Sequence, residues 1–239
     1  MRRFIYVFSV LSVVLILAIV FFVPNLAHAT TSAGSIVVNS IPGPTLAQQI
    51  FTKVQSSWPW YLVRGSGIVA ALSLFILMIS GIGSVTGHTF KFLEPITAWA
   101  SHRALGIVFG ISIILHMAGL LFDYFVSFNL LTLLVPWLSD YKPITILGLY
   151  LGSLFVALGV LAFYGALIIV ISSLLWVEKK PYVWKLLHLL SYLVLIFVFI
   201  HALYLGTDLA SGVLRYIWIA IGVGGLGLII YRLWRSRTI

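Results

Sequence analysis

The chain has 239 residues, 62% of them hydrophobic and 8% charged, with a mean hydropathy of +1.17. A soluble domain carries about 25% charged residues, so a water-soluble globule is excluded for most of this chain. The formal charge of +9 does not point to nucleic acid, because the basic residues sit at the ends of apolar runs, where topology signals lie. The absence of cysteine removes disulfides, thiolate metal sites, iron–sulfur clusters and cysteine nucleophiles together.

Six apolar runs are long enough to cross a bilayer as helices, for which about 20 residues are needed. They cover residues 4–23, 60–83, 100–125, 145–177, 184–206 and 213–233. The breaks between them carry turn chemistry: Pro24, Pro42-Gly43-Pro44, Pro59, Gly87 with Pro95, Pro136 with Pro143, Pro181, and Gly206 to Gly212. The expected fold is therefore all-α, a polytopic transmembrane bundle of six spans, or five if the first run is a cleaved signal. Arg2, Arg3, the apolar stretch and Ala27-His28-Ala29 have the layout of a secretory signal. That apolar stretch is longer than the roughly 7–15 residues usual for a signal, which favours a retained span. The fourth run is long enough to require tilt or trimmed ends. The expected organisation is a first span or signal in 1–29, an outer loop in 30–59, a membrane domain in 60–235 and a cytoplasmic tail in 236–239.

The distribution of cations sets the expected orientation. With the N-terminus inside, Arg2, Arg3, Lys91, Arg103, Lys179, Lys180, Lys185, Arg232, Arg235 and Arg237 fall on the cytoplasmic side. Lys53, Arg64, Lys142 and Arg215 fall outside, with Asp123, Asp140 and Asp208. Localisation in the cell membrane with a cytoplasmic C-terminus follows. Trp58, Trp60, Trp99, Trp137, Trp176, Trp184 and Trp234 lie near span ends, as interfacial aromatics do.

Four of the six histidines lie in two spans: His102 and His116 in the third, His188 and His201 in the fifth. Ionisable side chains are expensive in lipid and mark function there. Both spans run from inside to outside, so His102 and His188 share the cytoplasmic leaflet, and His116 and His201 share the outer one. Two levels with one imidazole from each helix is what two bis-histidine haem centres require, and two axial imidazoles favour electron transfer over ligand binding. His102 and His116 are 14 residues apart, roughly 21 Å of rise and about 40° short of whole turns, so both rings can face one neighbour. His188 and His201 are 13 apart, which leaves their rings roughly 140° apart on an ideal helix. That spacing calls for a π-bulge or local unwinding, for haems that present different edges, or for one haem b instead of two. Gly106 and Gly110 would let a flat porphyrin approach the third span. Arg103 and Lys185 suit propionates at the inner level, and Arg64, beside Gly65 and Gly67, suits the outer propionate. His28 and His88 read as non-ligands, and Gly222, Gly224, Gly225 and Gly227 as helix-packing glycines. Phe109 and Phe197 are candidates to lie between the haems. Asp123 and Asp208, near the outer mouth, read first as solvated loop acids, with the binding of a cationic substrate such as iron as the alternative. A lone histidine in a span is more often packed than ligating, and the competing reading is a haem-free transporter or proton relay built on the same histidines.

The paired histidines and their surroundings resemble the ferric reductase-like transmembrane domain family. The pieces that carry the resemblance are Trp60-Tyr61-Leu62-Val63-Arg64-Gly65-Ser66-Gly67, His102-Arg103-Ala104-Leu105-Gly106 with His116, and Trp184-Lys185-Leu186-Leu187-His188 with His201, within residues 60–233. The family includes the membrane halves of NADPH oxidases and ferric-chelate reductases and small bacterial haem-binding membrane subunits. The resemblance implies pairing of His102 with His188 and of His116 with His201, and an oxidoreductase role. No strand–Gly-rich-loop–helix unit for a nicotinamide is evident. A separate cytoplasmic flavin reductase or quinol is the expected donor, and an outer-face acceptor or periplasmic reductase subunit the expected recipient.

Overall fold

A computed structural model describes residues 45–123 and 128–235. The described chain is an all-α bundle with five helices long and apolar enough to cross a membrane. It is a multi-pass membrane protein. The first span, residues 4–23, lies outside the described residues.

Helix α1 (Leu46–Thr86) is opened by a capping box, in which the Thr45 side chain accepts from the Gln48 backbone and the Gln48 side chain accepts from Thr45. Gly87, at φ 80, closes it in the left-handed conformation that glycine adopts without penalty. Two expectations change here. Residues 46–59, read as outer loop, are the polar first third of α1, and Pro59, read as a break, is buried inside the helix. Hydropathy cannot see a helix made of Gln48, Gln49, Thr52 and Lys53.

Helix α2 (Pro95–Leu120) starts with proline at its first turn, where a missing N–H costs nothing. The connection to the next long helix holds the short α3 (Leu130–Leu134) and a hairpin of β1 (Thr145–Ile146) and β2 (Leu149–Tyr150). Leu147 (φ 51) and Gly148 (φ 79) make its turn, with positive φ at both central positions. The run read as 145–177 is thereby trimmed, and helix α4 occupies Gly152–Leu175. Then come α5 (Pro181–His188), α6 (Leu190–Leu205) and α7 (Val213–Arg235).

The long helices associate as two close pairs, α1 with α2 and α4 with α6, and the pairs touch each other lightly. Helices α2 and α6, which carry the four histidines with α5, barely meet. A buried apolar cluster joins the pairs at mid-height: Ala70, Leu74, Phe109, Ala162, Ala166, Ile169 and Val194. Helix α7 leans on this frame through Ile229 against Met78 and Ile82.

Candidate metal centres

The histidines face one another across the gap between the two helix pairs. The ring centroids of His102 and His188 are 6.2 Å apart, and those of His116 and His201 are 6.5 Å apart. A metal–imidazole bond of about 2.0 Å, with roughly 1.1 Å from ring nitrogen to ring centroid, sets about 6.3 Å between two rings that share one ion. Both pairs have that span. Among the described residues no three of His, Cys, Asp or Glu gather into an ion-binding group. Each pair therefore offers two protein ligands and leaves the other positions of an ion to a macrocycle or solvent.

At the level of His116 and His201, called the upper level here, the second ring nitrogen is held by main chain. His116 Nδ1 lies 2.8 Å from Val63 O, and His201 Nδ1 lies 2.9 Å from Phe155 O. A carbonyl can only accept, so each Nδ1 carries the proton and each Nε2 keeps its lone pair. Both carbonyls belong to helices and are already spoken for within the α-helical ladder, yet both are reachable. The reason is glycine four residues on. Gly67 follows Val63 and Gly159 follows Phe155, and the missing side chains leave room for the rings. A Cβ at Gly67 would meet His116 Nδ1 at 3.0 Å, and one at Gly159 would meet the His201 ring at 2.5 Å.

At the lower level the partners are serines. Ser80 Oγ lies 2.9 Å from His102 Nδ1 and donates its own hydrogen to Leu77 O at 3.1 Å. It therefore accepts from His102 Nδ1, which again leaves Nε2 free. Ser173 Oγ lies 3.4 Å from His188 Nδ1 and accepts from Trp184 Nε1 at 3.0 Å. The Trp184 ring rests against the His188 ring, with centroids 5.2 Å apart. Oriented imidazoles with the other nitrogen hydrogen-bonded are the usual state of metal ligands.

At the 13-residue spacing the helix is tightened, not unwound. Leu189, at φ −64 and ψ −22, separates α5 from α6, and its carbonyl accepts from Tyr192 N at 3.2 Å, three residues on. A 3₁₀ step turns the chain about 120° per residue against about 100° in an α-helix. Tightening thus supplies part of the missing rotation between the two rings.

No family model, curated protein or solved structure matches this chain.

Several assignments move. Arg64, expected to meet an outer propionate, makes a two-point ion pair with Asp208: Nε to Oδ2 at 2.6 Å, and Nη2 to Oδ1. Its guanidinium also lies over Trp60, 4.7 Å from the ring centroid. Asp208, placed among solvated loop acids, is that partner, and both side chains are mostly covered. In a low-dielectric setting each charge satisfies the other. Gly110 is buried against Val170 of α4, so it serves helix packing and does not open onto the gap. Gly106 has open space where a Cβ would be. Arg103 is exposed and lies over Trp99, and Lys185 is exposed near the lower level. Phe109 sits in the apolar cluster between the levels, with Phe197 packed against that cluster.

The sequence reading missed Ser80, Ser173, Gly81 and Gly159. One signal was available. Gly67 and Gly81 are 14 residues apart, the spacing of His102 and His116, in the antiparallel neighbour. Gly67 meets His116, and a Cβ at Gly81 would lie 3.4 Å from His102 Cε1.

Proposed function

We propose that this chain is a transmembrane electron-transfer protein that holds two b haems, one between His102 and His188 and one between His116 and His201. The observation that carries the reading is the pair of imidazole–imidazole gaps, 6.2 and 6.5 Å, in a space that two tightly packed helix pairs leave between them. The residues fit the group: four histidines, three with a free Nε2 fixed by the acceptor at Nδ1, and Gly106 open towards its surroundings. Bound haem iron supplies one-electron exchange between its ferric and ferrous states.

The protein's own contribution is position and dryness. The Val63 and Phe155 carbonyls and the Ser80 hydroxyl hold three of the rings and raise their basicity as ligands. The cluster around Phe109 and Val194 separates the levels with apolar side chains. The ferric reductase-like resemblance makes the direction of flow from a cytoplasmic flavin reductase or quinol to an acceptor at the outer face, with the His102 level on the donor side.

Protein purified from haem-replete cells in detergent is the test. Two haems per chain by pyridine haemochromogen assay and a low-spin b-type reduced-minus-oxidised spectrum support the reading. A colourless preparation overturns it.

A further inference from the structure

We propose that residues 129–139 form a re-entrant segment, which dips into one leaflet beside α4 and presents its side chains to lipid acyl chains. Between Asp123 and Asp140 the chain has no charged residue. That run is too short to cross a bilayer, and a short apolar run of this kind is suited to a re-entrant or interfacial segment. Its depth is set by one hydrogen bond. Tyr164 OH donates to Leu134 O at 2.7 Å. Tyr164 lies half-way along the 24-residue α4, roughly 18 Å along the axis from Gly152. Its side chain leans back towards the helix start, which brings Leu134 to about the depth where the His201 ring lies against Gly159. The chain then returns at once, because Tyr141 O sits against Gly152 at the head of α4.

Lipid demands that backbone polar groups be satisfied internally, and the segment pairs several of its own. Thr132 N–H donates to Asn129 Oδ1 at 2.9 Å, and Asn129 N–H donates to Thr132 Oγ1 at 3.0 Å. Val135 N–H donates to Leu131 O at 2.8 Å, and the Tyr164 hydroxyl closes the carbonyl at the other end. Leu133 is buried, whereas Leu130, Leu131, Val135, Trp137 and Leu138 are all exposed. In water those five side chains would form an uncovered apolar patch. Within the leaflet, on the flank of a membrane-spanning helix, acyl chains cover them. This inference is independent of what the histidines bind.

The absence of native cysteine allows single-cysteine labelling of the full chain in phosphatidylcholine–phosphatidylglycerol vesicles. Nitroxide labels at L131C, at I168C on the exposed face of α4 and at K142C near the return are compared by power saturation. Accessibility to a polar nickel chelate at L131C is expected to be about tenfold lower than at K142C, because a polar complex partitions poorly into hydrocarbon. Oxygen accessibility at L131C should match that at I168C, and V135C should repeat the L131C result if the first variant folds poorly. Y164F should make L131C shallower. Nickel accessibility at L131C equal to that at K142C overturns the proposal by putting the segment in water. Exclusion of both oxygen and nickel overturns it by showing a protein cover, such as a second copy of the chain.

Discussion

At the upper level both imidazoles donate to main-chain carbonyls, Val63 O and Phe155 O, whereas at the lower level the partners are the hydroxyls of Ser80 and Ser173. The upper rings are nearly perpendicular, at 84°, and the lower rings are tilted at 49°. A carbonyl four residues before a glycine is an acceptor that no change in its own side chain removes, and it fixes one tautomer. A serine can be lost in one substitution, and its hydroxyl can turn. The walls differ in the same sense. Gly159 and Gly67 press on the upper rings, while Gly81 stands off His102 by an ordinary contact. The upper level is therefore sensitive to added volume and the lower level to lost hydrogen bonds.

The largest expected effect comes from removing ligands. H116A should lose about half of the bound haem, H102A the other half, and the double variant all of it, because a bis-histidine centre has no third protein ligand. Haem per chain by haemochromogen assay checks this, and unchanged content in H116A would count against the assignment.

Next is volume. G159A puts a methyl group 2.5 Å from His201 Cε1 and Nδ1, so the ring must move. A displaced ligand should cost about a hundredfold in upper-level haem affinity, at the high end for supporting-group changes. G81A, with 3.4 Å to His102 Cε1, should leave both haems bound. Equal loss in the two variants would erase the contrast between the levels.

The ion pair above His116 comes third. R64A or D208A leaves a mostly covered charge without its partner and should destabilise the fold by about 2 kcal/mol. The double variant should recover part of that loss, because neither charge is then stranded. Thermal unfolding of the detergent-solubilised protein measures both. A double variant no better than either single would mean that the pair is not coupled.

The smallest effect is at the serines. S80A should weaken lower-level haem binding about tenfold, the low end for such changes, and should shift one of two components in a redox titration. S173A should do less, because its oxygen stands 3.4 Å from His188 Nδ1. A shift in both components would show that the levels are not independently tuned.

How much of this was legible in the chain differs by kind of feature. Long apolar runs announced the spans, because burial in lipid demands hydrophobicity on every face. The short α3 escaped, since its apolar run is too brief to span and its depth rests on Tyr164, far along the sequence. The polar opening of α1 escaped because capping and helix propensity, not hydropathy, build it. The Arg64–Asp208 pair escaped because a charge near a span end has several partners within reach until the helices are packed.

The sequence by itself determined a membrane bundle with two imidazoles in each of two spans, because hydropathy and span parity are local properties that survive any rotation of the helices. Tertiary structure alone decided the 6.2 and 6.5 Å gaps, the acceptor behind each ring and the turn at Leu189. Those depend on how each helix is rotated and tilted against its neighbours. Rotation and tilt are set by glycines, serines and a mid-height apolar cluster acting across the bundle, which no window of consecutive residues contains.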